Sequence, residues 1–473
     1  MIESHEWDPF GQLFAQVQAA GKLNCIGCAE HMPSQERSRQ PGHLGNELDD
    51  VKSGEIVGQR RNRLAAGNPH QAASPCRHFS GIIDGMASPL RYRRLLQPPK
   101  QSFFLFGMRG VGKSTWARHT FPDALHVDLL DEAVYQSYLR DPSLFTQELR
   151  RVPPGRWVIV DEVQRLPILL NGVHRSIEER RLKFALLGSS ARKLKQAGTN
   201  LLAGRAVKRV MLPFLPAELG SDFDLAEILR FGSLPVIWQS SAKSDSLEAY
   251  VQLYLKEEIQ AEALVRNLPG FARFLPVAAI FHGQVLNVAG LARDAGVART
   301  TIAGYLEILA DTHLAWLLPA YEARLRVKER KHPKLYWADP GIVRAARQEL
   351  HRPTERERGP LLEGWVHVLL RAYGDPASRL GLRHDGLFYW APAEGGTEVD
   401  FVIRRGGEAV AIEVKARRQL AQRDFQGLRA IAGLAGLTRR VMVFLGDRPF
   451  VTDDGIEGLP VAEFVHELEG RRI

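Results

Sequence analysis

The sequence predicts an α/β chain with a parallel-sheet domain first, a helical, winged-helix-like segment next, and a second α/β domain last. Three observations predict it. From "SFFLFGMRGVGKST" onward, short apolar runs alternate with helix-length segments, the order of a parallel sheet covered on both faces. Residues 241–320 place apolar side chains at spacings of three and four, as buried helices do. Beyond residue 321 a basic stretch leads into a helix and then the strands "LFYWAP", "EVDFVI" and "AVAIEVKA".

Residues 1–87 stand apart. They are poor in apolar periodicity and rich in Gly, Pro, Ser, Asn and Gln, so they cannot bury enough apolar surface to offset their ordering entropy. A disordered extension is expected, or a start placed too early, with Met86 as an alternative. All three cysteines (Cys25, Cys28 and Cys76) lie here, so no disulfide framework is expected elsewhere. Cys25, Cys28 and His31 have metal-type spacing, but a structural zinc site needs a second clustered pair, and only Cys76 remains.

The whole chain has 473 residues, which exceeds one ordinary core. Its 45% hydrophobic and 25% charged fractions suit a soluble globular protein. No run reaches the roughly 18–20 apolar residues of a membrane helix, and "MIESHEWDPF" lacks the features of a signal peptide. A cytoplasmic location away from membranes is expected. The net charge of +9 favours an acidic partner, DNA or RNA first, although solvated arginines alone would produce the same number.

The first domain is expected at 88–240, with strands in "FFLF", "LHVDLL", "RWVIVDE", "KFALLGSS" and "VKRVMLPF". "GMRGVGKS" fits the phosphate-loop spacing throughout. Gly107, Gly110 and Gly112 allow the backbone to wrap a phosphate and turn N–H groups inward. Lys113 would reach the β- and γ-phosphates of ATP, Ser114 would ligate magnesium, and Thr115 continues the loop into a helix whose N-terminus favours anions. In "WVIVDE" the strand ends at Asp161, which would hold the magnesium through water, and Glu162 would orient the attacking water. Ser189 or Ser190 would contact the γ-phosphate; an ordinary strand-to-loop transition reads equally well. Arg192 and Arg205 are candidate arginine fingers, and a finger acting between subunits would imply a homo-oligomer.

Within 241–320, "LNVAGLARDAGVARTTIAGYLEILADTHLAWLL" reads as helix-turn-helix, with Gly296 in the turn. One reading sends Arg299, Thr300 and Thr301 into a major groove. The second helix has few basic residues, which favours a winged-helix packing module instead.

In 321–473 the stretch "EVDFVIRRGGEAVAIEVKAR" reads as a hairpin. Side chains two apart share a face, so Glu413 and Lys415 point the same way, and Asp400 lies on the partner strand. Two carboxylates there would bind a magnesium ion and Lys415 would position water; a solvated charged hairpin is the alternative. The basic residues from Arg324 to Lys334 would line a nucleic-acid path or form a solvated linker. Asp339 in "WADPGI" reads as a helix cap.

Taken together, "GMRGVGKST", "VIVDEVQRLP", "LLGSSAR", "LAGRAV", "KLYWADPGI", "LLEGWV", "EVDFVI" and "IEVK" resemble, in order, the prokaryotic AAA-like predicted ATPases that carry a C-terminal domain of unknown function. The resemblance runs from about residue 88 to the C-terminus and implies an ATPase. Asp400 followed by Glu413-x-Lys415 is similar to the restriction-endonuclease-like nucleases. In those, a further acid comes from an upstream helix, where Glu363 fits; Val399 stands where their motif has proline. The resemblance implies a magnesium-dependent nuclease-like domain. The alternative is an ATP-dependent switch whose last domain binds a nucleic-acid or protein partner without cutting it.

Overall fold

The computed structural model describes residues 91–192, 194, 202, 204–254, 267–322, 330–375, 380–392 and 397–473. Residues 1–87 with their cysteines, and Arg324 to Lys328 of the basic stretch, lie outside the described residues. Among the described residues no helix is long and apolar enough to cross a membrane.

Five short strands form the first sheet: β1 (Phe103–Phe106), β2 (Leu125–Asp128), β3 (Trp157–Asp161), β4 (Lys183–Gly188) and β5 (Val207–Val210). Their spatial order is β2-β3-β4-β1-β5, and every pairing is parallel. β4 therefore separates β1, which feeds the glycine-rich loop, from β3, which ends in Asp161. Strand parity divides the apolar residues between two layers. Phe104, Phe106, Val158, Val160 and Leu186 pack on one face, and Phe103, Leu105, Ile159 and Leu187 on the other. Helices α1 (Lys113–Thr120), α2 (Glu132–Arg140), α3 (Ser143–Arg151) and α4 (Leu169–Arg180) supply the crossovers.

The central part is a winged helix. α5 (Pro235–Trp238) precedes it, and its helices are α6 (Leu268–Ile280), α7 (Val288–Ala295) and α8 (Arg299–Asp311). Gly296 ends α7 at φ +62, the left-handed turn that glycine makes without strain. Strands β6 (Gln284–Val285), β7 (Ala315–Leu318) and β8 (Lys334–Trp337) form an antiparallel sheet in the order β6-β8-β7.

The last part begins with α9 (Pro340–Ala346) and the 20-residue α10 (Glu355–Gly374). A capping box between Thr354 and Glu357 starts α10 by satisfying its first free N–H groups. Six strands follow: β9 (Gly386–Trp390), β10 (Val399–Arg405), β11 (Glu408–Lys415), β12 (Leu437–Phe444), β13 (Phe450–Val451) and β14 (Glu457–Pro460). α11 (Gln426–Ala430) lies between β11 and β12, and α12 (Val461–Glu469) closes the chain. The order is β13-β14-β12-β11-β10-β9, antiparallel through β9-β10-β11 and parallel through β11-β12-β14. The expected hairpin is β10–β11: Arg405 pairs with Glu408, leaving Gly406 and Gly407 as a two-residue turn with Gly406 at φ +59. One apolar core runs from Phe103 and Leu105 through Phe274, Leu309 and Trp337 to Phe401 and Ile412.

Candidate functional site

The phosphate loop is built as its spacing requires. Gly107, Gly110 and Gly112 have φ of +154, +77 and +92. At Gly110 a Cβ would also lie 2.6 Å from Val236 Cγ1, so position and neighbour both exclude a side chain. Lys113, 5% exposed, turns its ammonium back into the loop and donates to the carbonyls of Gly107 at 2.8 Å and Met108 at 3.1 Å. The Ser114 hydroxyl lies near enough to the Asp161 carboxylate to favour its charged form. Burial raises the pKa of Asp161, against the Ser114 hydroxyl and the charge of Lys113. His126 Nε2 approaches Asp161 to 4.0 Å, but burial holds His126 below the usual imidazole range, so this is no ion pair at neutral pH.

Glu162 has φ +54, a left-handed backbone that is rare outside glycine and gathers at functional sites. It lines a cavity of about 450 Å³ together with Lys113, Ser114 and Thr115. The cavity's other wall is Tyr92, Arg94, Phe214 and Val236. Tyr92 and Phe214 rings lie 5.0 Å apart, and the Arg94 guanidinium sits 5.0 Å over Phe214 while pairing with buried Glu218 at 3.3 Å. The carbonyls of the loop are held from above: Val236 N–H donates to Gly110 O at 3.2 Å, and the Tyr250 side-chain hydroxyl to Arg109 O at 3.0 Å. Asp339 caps α9 through Ile342 N–H and also accepts from Ser233 at 2.7 Å and Leu234 at 3.1 Å, fixing the segment that enters α5.

Ser189 and Ser190 are buried at the end of β4. Neither lines the cavity, but Gln164 joins Ser189 to Glu162. The two arginine candidates do not meet at the cavity. Arg192 pairs with Glu307 at 3.4 Å and Asp311 at 3.0 Å on α8, and Arg205 pairs with Glu178 on α4. The same geometry bears on the helix-turn-helix. Arg299 and Thr300 are exposed, yet further along α8 the outward side chains are acids already bound to Arg192.

The four C-terminal candidates converge. Asp400 Oδ2 accepts from Val414 N–H at 2.9 Å, Glu413 Oε2 accepts from Asp400 N–H at 3.3 Å, and Lys415 pairs with Glu413 as strand parity requires. Glu363 reaches them from α10. A fifth residue stands among them. Lys334, 1% exposed, places its ammonium 3.0 Å from Glu363, 3.3 Å from Glu398 and 3.4 Å from Asp400. Tyr336 also donates to Glu363. Burial alone would lower Lys334, but Glu363, Tyr336, Asp400 and Glu398 outweigh it and hold the ammonium well above its usual range. Burial, then Asp400, raise Glu363 to about 7. Burial, then Asp400, likewise push Glu413 well up.

The lysine ammonium fills the space among Glu363, Glu398 and Asp400. Among the described residues no three His, Cys, Asp or Glu side chains are arranged to hold a metal ion. The reading of Arg324 to Lys334 as a nucleic-acid path therefore fails at its last residue, which is buried and neutralised. Lys334 and Tyr336 share a strand face by parity, and "KLYW" places that lysine in an apolar strand, a signal that was available in the sequence.

Residues 99–220 match the family model of an AAA domain. Residues 222–352 and 358–464 match two domains of unknown function, DUF8612 and DUF4143. An uncharacterized protein of Mycobacterium bovis is 26% identical over 414 residues, covering 84% of this chain and 88% of that protein. One of Mycobacterium tuberculosis gives the same figures. Among solved structures, Aeropyrum pernix ORC1 in complex with DNA aligns at a TM-score of 0.24 and 14% identity, covering 54% of this chain and 87% of that one. Thermotoga maritima RuvB T158V aligns at 0.25 and 18%, covering 46% and 82%. The AAA-like assignment of 99–220 thus rests on the family match and on the phosphate loop itself.

Proposed function

We propose that the chain binds ATP with magnesium and hydrolyses it, using the first sheet as an AAA-like ATPase domain. The observation that carries this is that Lys113, Ser114 and Glu162 line one cavity, with Asp161 beside Ser114 at the end of β3. Ser114 and Asp161 are oxygen donors of the type magnesium takes, and the ion would neutralise phosphate charge there. Lys113 leaves the loop carbonyls for the β- and γ-phosphates, and Glu162 takes the proton of the attacking water. In Glu162→Gln, ATP binding persists and turnover stops. An unchanged rate in that variant, or a wild type that neither binds nor hydrolyses ATP, defeats the proposal.

For the C-terminal domain we place the non-cleaving switch first, with nucleic acid as the partner that the net charge of +9 favours. Lys334 supports it: with an ammonium among Glu363, Glu398 and Asp400, the residues do not fit a metal in this arrangement. The convergence of Asp400, Glu413, Lys415 and Glu363 supports the second reading, a nuclease. Magnesium- or manganese-dependent cleavage by the wild type, lost in Asp400→Ala and in Lys415→Ala, would reverse this order. A cytoplasmic location and a homo-oligomer belong to the same proposal, and sedimentation with and without ATP tests the latter.

A further inference from the structure

We infer that Gln164 is a positioning residue for Glu162, an inference that rests on the ATP-hydrolysis reading above. Gln164 lies two residues past Glu162 in the tight turn Val163–Arg165 and is 2% exposed. Its amide nitrogen donates to the Glu162 carboxylate and to Ser189 Oγ, the latter at 3.1 Å. An amide NH2 has two hydrogens, so both are committed to side chains at the ends of two adjacent strands, β3 and β4.

The turn that carries Gln164 is itself held. Arg165 donates to Leu129 O at 2.5 Å, and its guanidinium sits 4.3 Å over the Tyr135 ring. On the far side, β4 has no side chain where the amide packs: a Cβ on Gly188 would come within 2.4 Å of Gln164 Oε1. Glu162 needs such support. Its backbone is left-handed, a strained conformation for a non-glycine residue that persists only where its surroundings hold it. The amide selects one orientation of the carboxylate, the one that faces the nucleotide cavity. A base displaced by about 1 Å from its water loses on the order of a hundredfold in rate, so the effect of the amide appears in kcat rather than in nucleotide affinity.

The test is Gln164→Met, which keeps the volume and removes both donors. Steady-state turnover, fluorescent-ATP titration and radiolabelled single turnover are measured on the full chain, alone and combined with Glu162→Gln. The expected kcat falls roughly 10- to 100-fold while the ATP Kd stays within about twofold. In the Glu162→Gln background, where steady-state turnover has stopped, the same substitution changes the slow single-turnover rate that remains by less than about twofold, because the group it positions is gone. Gly188→Ala keeps the glutamine but pushes its amide aside through the crowded Oε1, and should reproduce the loss; it decides the matter if Gln164→Met does not fold. Wild-type kcat in Gln164→Met, or its full loss repeated in the Glu162→Gln background, overturns the positioning role alone. A wild type that hydrolyses no ATP overturns the parent reading and this one with it.

Discussion

Replacing Lys334 by methionine removes a buried ammonium and keeps most of the side-chain volume. That ammonium stands 3.0–3.4 Å from Glu363, Glu398 and Asp400, and its side chain is 1% exposed. Removing one partner of a buried ion pair leaves charge without compensation and costs about 3–5 kcal/mol. Protonating the carboxyls relieves part of this cost, so the loss depends on pH. Burial and Asp400 already raise Glu363 from 4.5 to about 7, and Lys334 opposes that shift, so the variant's Glu363 lies higher still. A carboxyl whose folded pKa exceeds its unfolded value binds more protons in the native state, and stability falls as pH rises between the two values. In the wild type this group therefore loses stability from pH 4.5 to about 7; in the variant the fall is larger and continues further. Urea unfolding at pH 5 and pH 8 measures both. At pH 8 the variant is expected to be less stable by about 3–5 kcal/mol. At pH 5, where Glu363 is protonated, the expected deficit is less than roughly half of that. A deficit below about 1 kcal/mol at pH 8, the size of an exposed pair, or equal deficits at both pH values, would refute the counter-ion role.

Two further outcomes follow from the same geometry. Asp339→Ala strands the N–H groups of Ser233, Leu234 and Ile342, at about 1–3 kcal/mol for each one that stays buried, and loosens the segment entering α5. Thermal unfolding should show the loss and fluorescent-ATP titration a weaker affinity. Because burial raises Asp339 from 3.8 to about 6, wild-type stability falls across that interval, and the deficit of the variant is smaller at pH 7 than at pH 4. Arg192→Ala frees Glu307 and Asp311, and since these groups are only half-buried the global cost is about 1 kcal/mol or less. Hydrogen exchange should then rise in residues 299–311 while ATP affinity holds; unchanged exchange there would show that the pairs do not anchor α8.

The parts legible in the sequence are those fixed by local stereochemistry. Gly107 to Ser114 is such a part, because the wrap of a backbone around phosphate dictates its spacing. The hairpin at Gly406 and the shared face of Glu413 and Lys415 are set by turn type and strand parity. What escaped depends on distant pairing. Lys334 ends a basic run that reads as surface, and it is buried only because β8 lies between β6 and β7 and Glu363 approaches from α10. Arg192 reads as a free finger until α8, more than a hundred residues later, brings two carboxylates to it. Gln164 is close to Glu162 in sequence, but its second bond goes to Ser189 on a neighbouring strand, which no local pattern announces.

β8 is hydrogen-bonded into the winged helix, yet the side chains of Lys334 and Tyr336 serve the carboxylates beyond it. The chain is therefore not modular at this junction. A fragment starting at residue 358, where the last family match begins, would keep Glu363, Glu398, Asp400 and Glu413 and leave both of their upstream partners behind. Such a fragment would keep Lys415 beside Glu413 but carry Glu363, Glu398 and Asp400 without the ammonium that neutralises them, so it is expected to fold less stably than the same residues in the full chain.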